Sequence, residues 1–207
     1  MTPHEVQQAI AGGAVVLDMR LPRVFAKEHI PGAVNVQFNR ADLVDRVEMI
    51  FPKDIRFVVH AEPEAVARLA ADLLGKAGFR VEGYLEGGIK AWKDTHLPTT
   101  SLEVIAVDDV RAGSEGLQVV DARDPFEFKY GHVPGARLLS WTEAWATASA
   151  FTTERPMAVI CGDEVRSALV ASILARLGRE VRLVSGGMVD WNERGFPVEK
   201  GQAASGL

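Results

Sequence analysis

Short apolar runs alternate with segments of helical period along this chain. Val15-Val16-Leu17 is a continuous apolar run ending at Asp18, and Phe57-Val58-Val59 is a second. The pattern predicts a helix over 65–74, a strand over 80–85 and a helix over 89–93. Upstream, Thr2-Pro3-His4-Glu5 reads as a capping box with Pro at the first helical position. The order then repeats: strands over 117–120 and 157–160, a helix over 167–177, a strand over 181–184 and a helix over 188–194. Uninterrupted apolar strands between helices predict an α/β fold with a mostly parallel sheet covered on both faces.

The recurrence extends to residue identity. Asp18, Arg20, Pro22, Phe25, His29, Pro31, Gly32 and Ala33 return as Asp121, Arg123, Pro125, Phe128, His132, Pro134, Gly135 and Ala136. Gly87, Gly88 and Trp92 return as Gly186, Gly187 and Trp191, and Leu97-Pro98 as Phe196-Pro197. Such order implies two copies of one unit of domain size. They are expected at 1–98 and 101–207, joined by the breaker-rich stretch 95–101.

Composition narrows the function classes. Of 207 residues, 47% are hydrophobic and 25% charged, as in a folded globular protein. A net charge of −5 argues against a dedicated nucleic-acid binder. No apolar run reaches the length of a membrane helix, and the N-terminus lacks the pattern of a secretory signal, so no membrane partner is expected. One cysteine excludes an internal disulfide and a multi-cysteine metal site, and a reducing, cytoplasmic location is expected.

That cysteine carries the candidate chemistry. Met157-Ala158-Val159-Ile160 leads into Cys161-Gly162-Asp163-Glu164-Val165-Arg166-Ser167, and a helix follows with Ala168, Leu169, Ala171, Ile173, Leu174 and Leu177 at helical spacing. A lone cysteine is usually a small buried hydrophobe. One at a strand-to-helix turn instead faces the free N–H groups of a helix N-terminus, which favour the thiolate, as does Arg166. Asp163 and Glu164 oppose that effect.

Cys-x-x-x-x-Arg-Ser after a strand, preceded by Asp-x-Arg-x-Pro and Gly-His-Val-Pro-Gly-Ala and followed by Gly-Gly-Met-x-x-Trp, resembles the rhodanese (sulfurtransferase) family over nearly the whole chain. The resemblance implies two tandem rhodanese-like domains. It implies that Cys161 takes a sulfane sulfur from a donor such as thiosulfate or mercaptopyruvate. The resulting persulfide passes it to cyanide or a thiol. It also implies a substrate cradle of backbone N–H groups over Gly162, Asp163, Glu164, Val165 and Arg166, with no metal or organic cofactor. Three positions depart from the family pattern. Glu164 stands where many loops have Gly, Gly162 and Asp163 where basic residues are common, and Glu127 where tandem thiosulfate enzymes tend to carry Arg. This acidity opposes use of the dianion thiosulfate.

In the first copy, alignment of the strands at an offset of 101 sets His60 opposite Cys161 and Ala65 opposite Arg166. That copy is expected to be inactive, as in tandem sulfurtransferases. Asp18 and Asp121 are expected to bond backbone, Arg20 and Arg123 to be structural, His29 and His132 to bond turns, and Trp92 and Trp191 to be core. Trp141 and Trp145, four apart, are expected to pack together on a helix, the alternative being that they line the mouth of the site. Two other functions compete. A cysteine phosphatase or arsenate reductase would need five residues, not four, between Cys and Arg. A non-catalytic binding or redox-sensing module would use the acidic loop differently.

Overall fold

Apolar runs without helical period form parallel strands in the computed structural model, which describes residues 1–113 and 116–201. The chain divides into two units, Met1–Ser101 and Leu102–Leu207. In the first, β1 (Val15–Asp18), β2 (Val34–Asn35), β3 (Arg56–His60) and β4 (Arg80–Tyr84) form a sheet of order β2-β1-β3-β4. In the second, β5 (Glu103–Ile105), β6 (Gln118–Asp121), β7 (Arg137–Leu138), β8 (Met157–Ile160) and β9 (Val181–Val184) form a sheet of order β5-β9-β8-β6-β7. Every strand pairing within these sheets is parallel. All four residues of β1, β6 and β8 are buried. Burial on both faces is why those strands read as continuous apolar runs instead of alternating ones.

Helices α1 (Pro3–Ala11), α2 (Pro22–Lys27), α3 (Leu43–Ile50), α4 (Glu64–Lys76) and α5 (Gly88–Asp94) belong to the first unit. Helices α6 (Val107–Ala112), α7 (Pro125–Tyr130), α8 (Ala144–Thr147), α9 (Val165–Arg176) and α10 (Gly187–Glu193) belong to the second. The cap on α1 is as read: Glu5 N–H donates to Thr2 Oγ1 at 3.4 Å, and the Thr2 N–H donates to Glu5 Oε2 at 2.7 Å. The expected strands and helices all form, with ends shifted by one or two residues. The structure adds α2, α3, α6, α7 and α8 and the short strands β2, β5 and β7. Leu177, assigned to the apolar face of α9, is instead 45% exposed, because the helix ends at Arg176 and Leu177 caps it.

The parallel order sets β1 beside β3 and β6 beside β8 at the middle of each sheet. The residues at their carboxyl ends, Asp18 with His60 and Asp121 with Ile160, then Cys161, therefore gather at one edge. In open α/β sheets that edge is where ligands bind.

Candidate active site

The repeated polar residues are frame. Asp121 is fully buried and accepts the Arg123 backbone N–H at 3.0 Å, while both of its oxygens hold the Arg123 guanidinium at 2.7–3.2 Å. Arg123 Nη2 also donates to the Gly131 carbonyl at 2.7 Å. Asp18 and Arg20 repeat this arrangement, with Glu28 supplying the carbonyl at 2.8 Å. A buried ion pair of this kind is costly to break. His29 and His132 each place Nδ1 2.8 Å from the carbonyl four residues back and stack on Phe25 and Phe128. Trp92 and Trp191 are buried and donate to the Pro98 and Pro197 carbonyls. These residues tie strand ends, turns and linkers together in both units.

Cys161 follows β8 directly and is fully buried. The Glu164 N–H, at the N-cap of α9, donates to its sulfur at 3.2 Å. Ser167 Oγ lies 3.2 Å from Sγ, accepts from the thiol, and donates to the Glu164 carbonyl at 3.1 Å. Asp163 Oδ1 stands 3.9 Å from Sγ and accepts the Val165 N–H at 3.2 Å. The loop carbonyls are held from the other side. Met188 and Val189, in the first turn of α10, donate to Cys161 O at 2.7 Å and Gly162 O at 3.3 Å. That approach requires glycine at 187: a Cβ there would stand 2.6 Å from Cys161 O and closer still to Gly162 O.

Glu164 shows why this loop position favours glycine. Its φ is +108°, a conformation costly for any residue with a Cβ. Its carboxylate anchors it by accepting the Gly186 N–H at 2.9 Å. The strain turns the Glu164 N–H onto the sulfur.

Arg166 is placed beside the loop, with its charge already engaged. Nη1 meets Asp124 Oδ2 at 3.0 Å and Glu127 Oε2, and Nη2 meets Glu127 Oε1 at 2.9 Å. A Cβ on Gly162 would stand 3.4 Å from Nη2, so the guanidinium lies against the residue after Cys161. The hydrogen bonds that it donates to Glu127 hold the Arg166 cation far above its ordinary range, against the cost of its partial burial. In return Arg166 pulls the Glu127 carboxyl below its ordinary value. Trp141 lies in the turn before α8, not on a helix with Trp145, and its Nε1–H donates to Asp124 Oδ1 at 3.1 Å. Sequence reasoning missed Asp124 as part of this network. The signal was present: Asp124-Pro125-Phe126-Glu127 repeats the form of the cap read at Thr2, and Glu127 accepts the Asp124 N–H at 3.3 Å.

The first unit requires a correction. His60 does not stand where Cys161 stands. The ladder pairs Asp18 with His60 and Asp121 with Ile160, and the Met19 and Ala122 N–H groups donate to His60 O and Ile160 O. His60 therefore corresponds to the last core residue of β8, and Ala61 takes the thiol position. The loop to α4 is one residue shorter. Its N-cap is Pro63, where the second unit has Glu164, and proline has no N–H to offer a sulfur. Ala65 takes the helix position of Arg166. Ala61→Cys is accordingly expected to load no sulfur at residue 61, as peptide mapping after donor treatment would show.

His60 is fully buried and neither ring nitrogen has a hydrogen-bond partner among the described residues; Asp18 Oδ2 is 4.0 Å from Nε2. Burial pushes its pKa down, against the pull of Asp18 and Glu62 and alongside the repulsion of Arg20. The unfolded imidazole therefore takes up a proton first as pH falls. The neutral ring's contribution is complete above the unfolded value near 6.5 and is lost as pH drops through the lowered folded value. His29 adds the same sign. Because Ile fills the matching place in the second unit, His60→Ile is expected to stabilise the chain by about 1–3 kcal/mol, the cost of unsatisfied buried polar groups. Thermal melting at pH 7 and pH 5 checks this: the variant should melt higher and lose less on acidification.

Comparison with known proteins agrees with this architecture. The model of the family described as Rhodanese-like domain matches residues 2–95 and again 106–194. The thiosulfate sulfurtransferase of Azotobacter vinelandii is 24% identical over 95% of this chain and 95% of its own length. The uncharacterized protein YqhL of Bacillus subtilis is 30% identical over 44% of this chain and 72% of its own. The crystal structure of SseA from Escherichia coli, titled for the fold and mechanism of 3-mercaptopyruvate sulfotransferases, is 22% identical, covers 90% of this chain and 97% of its own, and has a TM-score of 0.41. Two family matches spanning most of the sequence, on two parallel α/β sheets, make this chain a member of the rhodanese-like family, built from two such domains.

Proposed function

We propose that the chain is a sulfurtransferase that carries a sulfane sulfur on Cys161 as a persulfide. The observation that supports this most is the setting of Sγ: a backbone N–H directed at it from the N-cap of α9, with a buried serine hydroxyl at the same distance. The N–H and the helix N-terminus stabilise negative charge on sulfur. When the thiol ionises, the Ser167 hydroxyl can rotate from accepting to donating.

In the first step the Cys161 thiolate attacks the outer sulfur of a donor of the thiosulfate or mercaptopyruvate kind. A Cys161 S–S bond forms, the donor bond to that sulfur breaks, and its electron pair departs with the leaving group. In the second step an acceptor thiolate or cyanide takes the outer sulfur and the Cys161 thiolate is restored. Charge is negative on sulfur throughout, so fixed N–H groups suit the reaction without a general base. In this reading residues 101–207 are catalytic, with Gly162, Asp163, Glu164, Val165 and Arg166 bordering the substrate. Residues 1–98 are silent because Ala61 and Pro63 supply neither thiol nor N–H. A single thiol that must stay reduced suits a cytoplasmic setting.

The test is intact mass after incubation with a panel of sulfur donors, followed by peptide mapping. The reading expects one added sulfur on the Cys161 peptide, removed by cyanide with release of thiocyanate. Loading by no donor would overturn it in favour of a binding or redox-sensing module.

A further inference from the structure

The Arg166 cation is held by an acidic clamp. Asp124 caps α7 and Glu127 lies in its first turn; both accept from the guanidinium, with Glu127 gripping both terminal nitrogens. Such a two-toothed pair is geometrically specific. Asp163 stands beside the sulfur, and the Glu164 carboxylate is fixed on Gly186. Arg123, the other guanidinium nearby, is paired with Asp121. Among the described residues the loop and its rim thus gather four carboxylates around Arg166, with Arg123 also acting on Glu127 from its pair with Asp121. The Asp124 and Glu127 side chains are 47% and 35% exposed, so their charge reaches solvent beside Arg166.

Glu127 also borders a groove of about 360 Å³ whose other walls include Arg123, Phe126, Tyr130, Asn192 and Val198. Phe126 and Tyr130 are 70% and 63% exposed, with ring centroids 4.6 Å apart. The exposed aromatic pair gives an organic substituent a surface to pack on.

We propose that Glu127, supported by Asp124, sets donor specificity at Cys161, rejecting dianions and admitting organosulfur donors with at most one negative charge. The proposal rests on the sulfurtransferase reading. For a thiosulfonate, the Cys161 thiolate attacks the outer sulfur of R–SO₂–S⁻. The Cys161 S–S bond forms, the bond between outer sulfur and sulfonyl sulfur breaks, and sulfinate R–SO₂⁻ leaves with the electron pair. Cys161 is left as the persulfide anion, and no external oxidant is needed.

Thiosulfate and methanethiosulfonate provide the test, since they have similar size and differ by one charge; benzenethiosulfonate adds an aromatic group for the groove. Turnover with cyanide and intact-mass loading would be measured on the full chain, on Glu127→Gln and on Asp124→Asn. Gln at this position can still accept the Asp124 N–H, so the helix cap survives while the charge is lost. Wild type should use methanethiosulfonate at least about tenfold more efficiently than thiosulfate, with benzenethiosulfonate no worse than methanethiosulfonate. Glu127→Gln should raise kcat/KM for thiosulfate about tenfold, mainly through KM, and raise it less for the monoanions. Asp124→Asn should act in the same direction. A merely structural Glu127 would shift all three donors together. Loading without charge preference, or equal changes for all donors, overturns the specificity inference alone. Loading by none of the three in any variant overturns it together with the sulfurtransferase reading.

Discussion

Cys161→Ser is expected to remove sulfur transfer, by on the order of 10³-fold or more, while leaving the fold in place. Two physical reasons set the size. A serine hydroxyl is not ionised near neutral pH, and nothing around position 161 would take its proton: the polar neighbours of Sγ are a backbone N–H, the Ser167 hydroxyl and the Asp163 carboxylate at 3.9 Å. An oxygen also cannot hold the sulfane sulfur as a stable, exchangeable intermediate. The fold should survive because the smaller hydroxyl finds partners already present in Ser167 and the Glu164 N–H, so no buried polar group is left unpaired. Thiocyanate formation and intact mass would be followed on wild type and variant after one donor treatment. Added sulfur on the variant, or turnover near the wild-type rate, would remove Cys161 from the mechanism.

The parallel α/β architecture was legible because buried strands such as Val15–Asp18 and Met157–Ile160 must be continuously apolar. The thiol loop was legible because a lone cysteine between such a strand and a helix has few other uses. What escaped notice was small or three-dimensional. The two-residue strands β2 and β7 are too short to show a period, and α7 went unread although its Asp-Pro-Phe-Glu start has the same logic as the Thr-Pro-His-Glu start of α1. That omission hid the clamp on Arg166, because Asp124 and Glu127 lie 42 and 39 positions from it in sequence. The misplacement of His60 has a different cause. Both loops have a plausible one-residue shift, and only hydrogen-bond register shows that the shorter first loop brings Ala61 to the thiol position. A slip of one residue exchanges a core position for a site position.

Arg166→Ala is expected to lower sulfur transfer roughly 10- to 100-fold, equivalent to about 1.5–3 kcal/mol, with only a small loss in melting temperature. The two effects separate for a structural reason. Asp124 and Glu127 are substantially exposed, and ion pairs with exposed partners usually contribute about 1 kcal/mol or less to stability. At the sulfur the same guanidinium has a larger task. It lies against Gly162, and it pairs with Asp124 and Glu127 beside the loop that would hold an anionic intermediate. Removing it leaves those carboxylates facing a persulfide anion, and transfer should fall for monoanionic as well as dianionic donors. Arg166→Lys should recover part of the loss, since it restores charge without the two-toothed grip. The double variant Arg166→Ala with Glu127→Gln separates two origins of the effect. Partial recovery in the double variant is expected if Arg166 works by cancelling Glu127. No recovery would mean that the guanidinium touches the transferring sulfur itself. A melting loss in proportion to the activity loss would instead make Arg166 a structural residue, and turnover and melting measured on one sample decide between these outcomes.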